Sequence, residues 1–328
     1  MNKYQNQKIK FFYYLFNTVM LLVPRIFFRW MMKPELRKID FYDKKYVLSR
    51  VSYYNKVDKS FKTSDISVTC EDLWDRQKTI LKNYFLKNDK SKKKLTSYFF
   101  PLYNIFSYFP KNKRLDFKFG DIRDTFSAPT IVKSRPIANS HNSIIMKLEE
   151  VRHFNFINDK LNFREKSDKA VWRGYSGNNK MRLHFLKKYH NVPIFDIGQH
   201  SPVEDKPWYK GYMSIKNQLA HKFIFCIEGW DTATSMKWVM SSNSLCVMPK
   251  PKYETWFMEG SLKPDMQYVQ VSDDFSDAED KINFYLSNPN MAINIIKKAH
   301  EHVDQFRDLK REKLISMLVL KKYFSFSG

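Results

Sequence analysis

The feature that most restricts the fold is an alternation of short apolar runs with amphipathic segments after residue 116. Strand-like runs lie at 117–119, 130–132, 169–174, 192–195, 221–227, 244–248 and 268–271. Helical spacing of apolar residues lies at 180–189, 232–240, 277–286, 291–306 and 313–323. Strands that alternate with helices predict a parallel sheet with right-handed crossovers. The chain is therefore expected to adopt an α/β fold.

The N-terminal third has a different character. Residues 33–115 are basic and rich in Tyr and Phe, and Leu73–Phe85 has helical spacing. The charge run Lys87–Lys94 is interpreted as a solvated loop. A length of 328 residues suggests more than one domain, since domains have about 100–200 residues.

The segment Phe11–Phe28 is apolar and has about the length of a membrane span. It contains Asn17, Pro24 and Arg25, and no small-residue cleavage site follows. Residues 1–50 hold 11 basic and 3 acidic residues, a net charge of +8, with basic residues on both sides of the apolar stretch. This pattern favours a helix that lies in the headgroup plane. A core helix and a true span are the alternatives.

The charge of the whole chain indicates a polyanionic partner. Lys and Arg total 57 against 34 Asp and Glu, which gives a net charge of +23. A base-composition bias in the genome is the alternative source of the lysines. Cys70, Cys226 and Cys246 are far apart, and the histidines show no metal-ligand spacing, so neither a disulfide framework nor a metal site is expected. No nucleic-acid-binding motif is apparent.

Two strand-to-helix turns carry groups suited to an anion. Arg173-Gly174-Tyr175-Ser176-Gly177 follows one predicted strand, and Glu228-Gly229-Trp230-Asp231-Thr232-Ala233-Thr234 follows another. Ligands of parallel sheets bind at the carboxyl ends of the strands, and a helix start offers free N–H groups to a phosphate. Ordinary turns, with Asp231 as an N-cap, are the alternative. Lys237 either reaches a phosphate or faces water.

A carboxylate also stands at a predicted strand end. Asp121 follows Gly120 there, and such a group can be held within reach of an acceptor hydroxyl as a general base. A simple turn formed by Gly120 and Asp121 is the alternative, and Asp124 competes for the role.

These clusters together resemble glycosyltransferase family 90, and within it the bacterial branch that acts on the lipopolysaccharide core. The resemblance covers roughly residues 115–306, and Ser241–Phe257 is its most specific part. It is carried by Phe119-Gly120-Asp121, Lys133-Ser134-Arg135-Pro136, Ala170-Val171-Trp172-Arg173-Gly174, His221-Lys222-Phe223, Glu228-Gly229, Lys237-Trp238, Ser241-Ser242-Asn243-Ser244-Leu245, Tyr253-Glu254-Thr255-Trp256-Phe257, Leu262-Lys263-Pro264 and Tyr268-Val269.

The resemblance implies a GT-B architecture, in which two Rossmann-like domains with parallel sheets face each other across a cleft. Together with the pattern of the N-terminus, it predicts a membrane-associating segment (1–32), an acceptor-side domain (33–165, with the helix 307–328 packing back on it) and a nucleotide-sugar donor domain (166–306). It also implies an inverting hexosyl transfer without a bound metal or other cofactor. The donor would be UDP-glucose or UDP-galactose, and the acceptor a lipid-linked oligosaccharide of the lipopolysaccharide or lipooligosaccharide core.

The resemblance assigns roles to individual residues. Asp121 matches the acidic residue proposed as base, Arg173 matches the Arg-Gly pair after the first donor-domain strand, and Ser244 and Glu254 fall in the donor-binding stretch. Eukaryotic members have a diphosphate-binding arginine where Ser235 stands here. Lys237, Arg173, Arg182 or N–H groups at Thr232–Thr234 would replace it.

The expected protein is thus a metal-independent glycosyltransferase that is peripheral on the cytoplasmic face of the inner membrane. Its anionic partners would be the leaflet and the phosphorylated glycolipid, with no role for nucleic acid. Two alternatives are a capsule or protein glycosyltransferase of the same family and a basic, non-enzymatic nucleic-acid-binding protein.

Overall fold

The computed structural model describes residues 3–86, 96–202 and 206–328, so the predicted loop Lys87–Lys94 lies outside the described residues. The helices are α1 (Lys3–Met20), α2 (Arg25–Arg37), α3 (Lys44–Tyr54), α4 (Cys70–Leu86), α5 (Thr96–Phe106), α6 (Glu150–His153), α7 (Lys180–Tyr189), α8 (Ile215–Gln218), α9 (Met236–Met240), α10 (Ala278–Ser287), α11 (Pro289–Asp304) and α12 (Leu309–Phe326). Short 3₁₀ segments occupy Lys38–Phe41, Phe163–Glu165 and Glu259–Ser261.

The strands are β1 (Phe117–Lys118), β2 (Thr130–Val132), β3 (Ser134–Pro136), β4 (Ser143–Ile145), β5 (Ser167–Gly174), β6 (Phe195–Gln199), β7 (His221–Phe225), β8 (Leu245–Pro249), β9 (Tyr253–Thr255) and β10 (Val269–Val271). The residues group into two compact units. The first unit contains 12–152, 253–256 and 307–328; the second contains 153–252 and 257–306 with the stretch that ends at Phe11.

The first unit is built on a three-stranded parallel sheet in the order β1-β2-β4, beside the antiparallel pair β3-β9. Helix α12 is capped by Asp308, whose carboxylate accepts hydrogen bonds from the backbone N–H groups of Lys310 and Arg311. Its apolar face is buried and contacts α3 and α5. Arg50 of α3 and Glu312 of α12 form a buried ion pair with 2.6 Å between Nη1 and Oε1.

The second unit is a five-stranded, all-parallel sheet in the order β10-β8-β7-β5-β6. Strands β7 and β8 are largely buried because both faces of a parallel sheet are covered. The chain runs from β5 outward to β6 and then returns to β7 on the other side of β5. This reversal creates a switch point at the carboxyl ends of β5 and β7, where open α/β sheets bind ligands.

The structure confirms the expected mixed α/β fold with parallel sheets and refines some boundaries. Helix α7 has the predicted bounds, whereas β6 begins at Phe195, the last residue of the predicted strand 192–195. The predicted helix 232–240 begins only at Met236, because a turn precedes it in which the Met236 N–H donates to the Ala233 carbonyl at 3.1 Å.

The N-terminal segment forms two helices rather than one. Among the described residues, no single helix is both long and apolar enough to cross a membrane. Lys10–Met20 and Arg25–Phe41 meet that criterion only together, by length and composition, as a pair bent by 105°.

Candidate active site

Three parallel strands of the first unit deliver polar side chains to one sheet edge. Asp121 follows β1, Lys133 follows β2 directly, and Glu149 follows β4. Gly120 has φ = +114°, a conformation that side chains rarely adopt, and it turns the chain so that Asp121 stands at the strand end. We call Asp121, Lys133, Glu149 and the neighbouring Tyr98 of α5 the Asp121 cluster.

The cluster is a hydrogen-bonded network centred on Lys133. Its Nζ lies 2.5 Å from Asp121 Oδ1 and 3.5 Å from Glu149 Oε1. The Tyr98 hydroxyl donates to Glu149 Oε1 at 2.9 Å and lies 3.5 Å from Asp121 Oδ1. Burial and the Glu149 charge raise the pKa of Tyr98 above its usual range, so Tyr98 stays a neutral donor.

Only Asp121 among the three charged groups reaches solvent. The side chains of Lys133 and Glu149 are each 3% exposed, whereas that of Asp121 is 43% exposed. An exposed carboxylate fixed by a buried ammonium is suited to accept a proton from a bound hydroxyl. Asp124, the competing candidate, instead forms a surface ion pair with Lys118 at 2.6 Å.

Sequence reasoning found Asp121 but not its partners. Lys133 lies in the Lys-Ser-Arg-Pro stretch of the family resemblance, which assigns it no role, and the sequence predicts no role for Tyr98 or Glu149. The signal for Glu149 is the run Ser143–Leu148 before it, because a strand there places Glu149 at the same sheet edge as Asp121.

In the second unit, Arg182 joins the two loops of the switch point. Its guanidinium donates to the carbonyls of Tyr175 (2.7 Å), Ile227 (2.8 Å) and Glu228 (3.1 Å). Burial lowers the pKa of Arg182 to about 10. Asn179, which caps α7, donates to the Gly229 carbonyl at 2.8 Å. Loops from two neighbouring strands are thereby held at the carboxyl edge of the sheet.

The glycines of these loops allow close packing. A Cβ on Gly174 would lie 2.4 Å from the Trp172 ring, and one on Gly229 would lie 3.0 Å from Arg182 Nη2. We call Gly174–Asn179, Arg182 and Ile227–Thr232 the switch-point cradle. Within it, Ser176 bonds to Gln199, and the buried Thr232 hydroxyl has no hydrogen-bond partner. Thr234 is exposed just beyond it.

Two cations of the second unit that were predicted to bind the donor form ion pairs with carboxylates of this chain. Arg173 Nη2 lies 2.7 Å from Asp196 Oδ1, and Arg173 Nη1 donates to the Asp196 carbonyl at 2.6 Å. Lys237 is fully buried, with Nζ 2.8 Å from Glu259 Oε1, so it does not face water. The N–H groups of Thr232–Thr234 do not begin a helix, since α9 starts at Met236 and has only five residues.

The two residues predicted from the 241–257 stretch lie in different surroundings. Ser244 stands at the amino end of β8, where its hydroxyl donates to the His221 carbonyl at 2.8 Å. The switch-point cradle lies at the carboxyl ends, so the structure separates Ser244 from Gly174 and Gly229. Glu254 belongs to β9 of the first unit, where it bonds to Arg135 and Tyr53.

None of the described residues form a group of three or more His, Cys, Asp or Glu side chains arranged to hold a metal ion. The three cysteines are buried and free.

Most of this chain is similar in sequence to known proteins. Residues 86–325, which include Asp121 and every strand, match the model of the family described as Glycosyl transferase family 90. A curated relative, O-glucosyltransferase LpsA of Dichelobacter nodosus, is 43% identical over 236 residues, which are 71% of this chain and 74% of the relative. The crystal structure of TarM aligns with a TM-score of 0.37 at 17% identity, over 56% of this chain and 38% of that one.

Proposed function

Because this chain belongs to glycosyltransferase family 90, we propose that it transfers a hexose from a UDP-sugar to a hydroxyl of a lipopolysaccharide or lipooligosaccharide core acceptor. The observation that carries the proposal is the Asp121 cluster, which presents one exposed carboxylate fixed by a buried lysine. The name of the relative, O-glucosyltransferase LpsA, favours UDP-glucose over UDP-galactose. Family membership favours transfer over the nucleic-acid-binding alternative.

In the proposed reaction, Asp121 removes the proton of the acceptor hydroxyl. The acceptor oxygen attacks the anomeric carbon of the donor sugar from the face opposite the diphosphate. The bond between that carbon and the diphosphate oxygen breaks, and UDP leaves with the electron pair. Lys133 and Tyr98 orient Asp121 through the contacts at 2.5 and 3.5 Å, so that the carboxylate does not need to reorganise during the reaction.

The switch-point cradle is the proposed donor site. Its glycines let the backbone approach a diphosphate, and two of the five N–H groups of Arg182 are not used by its three carbonyl contacts. Arg182 is therefore our candidate to replace the family arginine at the position of Ser235. A GT-B arrangement and transfer without a bound metal ion are further parts of this proposal.

The proposal is tested with the purified full chain, a panel of sugar nucleotides and core glycolipid from a strain that lacks the outer core sugars. Mass spectrometry of the glycolipid should show addition of one hexose with a uridine diphosphate donor, both with and without EDTA. Transfer to capsule fragments or a protein but not to the glycolipid would favour the alternative acceptors. Absence of transfer from every sugar nucleotide would contradict the proposal.

Substitution of Arg182 tests the donor site separately from the chemistry. Lysine cannot bridge the carbonyls of Tyr175, Ile227 and Glu228 at once, so Arg182→Lys should weaken UDP binding by about tenfold or more, as measured by calorimetry. Arg164→Lys is the matched control, because Arg164 is exposed near the amino end of β5 and bonds to Asn290. An unchanged Kd in Arg182→Lys would remove this residue from the donor site.

A further inference from the structure

Helix α1 from Phe12 onward and helix α2 carry an inner face that packs within the first unit. The Asn104 amide of α5 donates to the Asn17 side chain at 2.6 Å, and the Tyr14 ring lies 6.1 Å from the ring of Phe100. In α2, Phe28 is buried with its ring 5.4 Å from that of Tyr108. Helix α2 and the part of α1 from Phe12 onward are thus packed within this unit.

The opposite side of the same two helices is apolar and exposed. Positions 12, 15, 16 and 19 follow the helical i, i+3, i+4, i+7 spacing, so they share one face of α1. The large apolar side chains on this side are 49–82% exposed. Together with Leu22 of the turn between the two helices, they form what we call the outer face: Phe12, Leu15, Phe16, Val19, Leu22, Ile26, Phe27 and Trp30. An apolar patch of this kind marks an interaction site.

The charges around the outer face identify its partner. The first 34 residues contain six basic residues and no acidic residue. Lys8, Lys10 and Lys33 are exposed on the same two helices. A second copy of the chain would bring these like charges together, whereas an anionic lipid surface would neutralise them. Aromatic and aliphatic side chains flanked by lysines are the composition of helices that lie in a membrane interface.

We propose that the outer face inserts into the headgroup region of an anionic lipid leaflet. Helix α2 and the part of α1 from Phe12 onward would lie in the membrane plane and remain folded within the first unit. The Asn17–Asn104 and Phe28–Tyr108 contacts keep the inner face in place while the outer face is buried in lipid. Binding of a lipid-linked acceptor at this surface rests on the proposed function. Binding of the outer face to lipid does not.

The test is co-sedimentation of the full chain with vesicles, without sugar nucleotide or glycolipid. The wild-type chain should bind vesicles that contain phosphatidylglycerol and should bind pure phosphatidylcholine vesicles much more weakly. The double variant Phe16→Ser/Phe27→Ser should lower the partition coefficient by about tenfold or more, because two phenyl rings would no longer move from water into the apolar layer. Phe284→Ser/Met291→Ser removes two exposed apolar side chains of α10 and α11 and should bind like the wild type.

A second measurement reports depth. Brominated lipids should quench the fluorescence of the wild-type chain more than that of Trp30→Phe. Equal binding of vesicles by Phe16→Ser/Phe27→Ser and the wild type would overturn the proposal. It would also be overturned if the wild-type chain did not bind vesicles and instead formed a concentration-dependent dimer that is lost in this variant. Sugar transfer is measured in detergent, where it does not depend on vesicle binding. Loss of transfer would therefore contradict only the proposed function, and loss of vesicle binding only the membrane proposal.

Discussion

Asp121→Asn is expected to lower kcat by about 10²–10⁴-fold, the range that a general base contributes, while the Kd for UDP stays unchanged. Asparagine has nearly the same shape and can still accept a hydrogen bond from Lys133, which lies 2.5 Å from Asp121 Oδ1. What it loses is the ability to accept the proton of the acceptor hydroxyl. Rates are measured with saturating donor and acceptor, and UDP binding by calorimetry.

Asp124→Asn is the matched control for this substitution. Asp124 lies three residues further along the chain, but its carboxylate forms a surface ion pair with Lys118. It should therefore retain nearly the wild-type rate. If Asp121→Asn turned over like the wild type, or if Asp124→Asn lost activity instead, Asp121 would not be the base.

Arg135→Met is expected to lower the free energy of unfolding by about 3–5 kcal/mol, the typical cost of removing one partner of a buried ion pair. Arg135 is fully buried and donates to Glu254 Oε1 at 2.7 Å. It also donates to the carbonyls of Tyr53, Tyr54 and Ser143 at 2.7–3.0 Å. The methionine variant would leave the Glu254 carboxylate buried without this cation and three carbonyls without this donor.

Urea unfolding of the full chain measures this effect. Lys118→Met is the control, because it removes one partner of an exposed pair, which is worth about 0–1 kcal/mol. An Arg135→Met variant as stable as the wild type would mean that the β3–β9 pairing does not depend on this arginine.

Local pattern was sufficient for the type of several elements of the second unit. The apolar runs of β7 and β8 and the amphipathic spacing of α7 determine their type from a few neighbouring residues. The predicted start of α9 is wrong by four residues, because the chain forms a turn there in which the Met236 N–H donates to the Ala233 carbonyl. The three-residue strand β4 is too short to show a period.

Sequence could predict a site residue only where the neighbouring residues themselves show its position in the fold. Asp121 follows a strand and a glycine, so its position at a sheet edge is visible in the chain. Lys133 and Glu149 reach the same edge only through the parallel pairing of β1, β2 and β4. The sequence leaves Lys237 either reaching a phosphate or facing water, whereas its partner Glu259, 22 residues away, holds it in a buried pair. Such contacts depend on tertiary structure, and the run Ser143–Leu148 before Glu149 is the local signal for one of them.

The anomeric configuration of the product tests the central claim most directly. A single carboxylate base requires direct attack from the face opposite the diphosphate, so transfer from UDP-glucose, whose sugar is α-linked, should yield a β-glucoside. The coupling constant of the anomeric proton in the NMR spectrum of the product distinguishes the two configurations. A β-linked product, formed by the wild-type chain and lost in Asp121→Asn, is the result we predict. An α-linked product would contradict the assignment of Asp121 as the base.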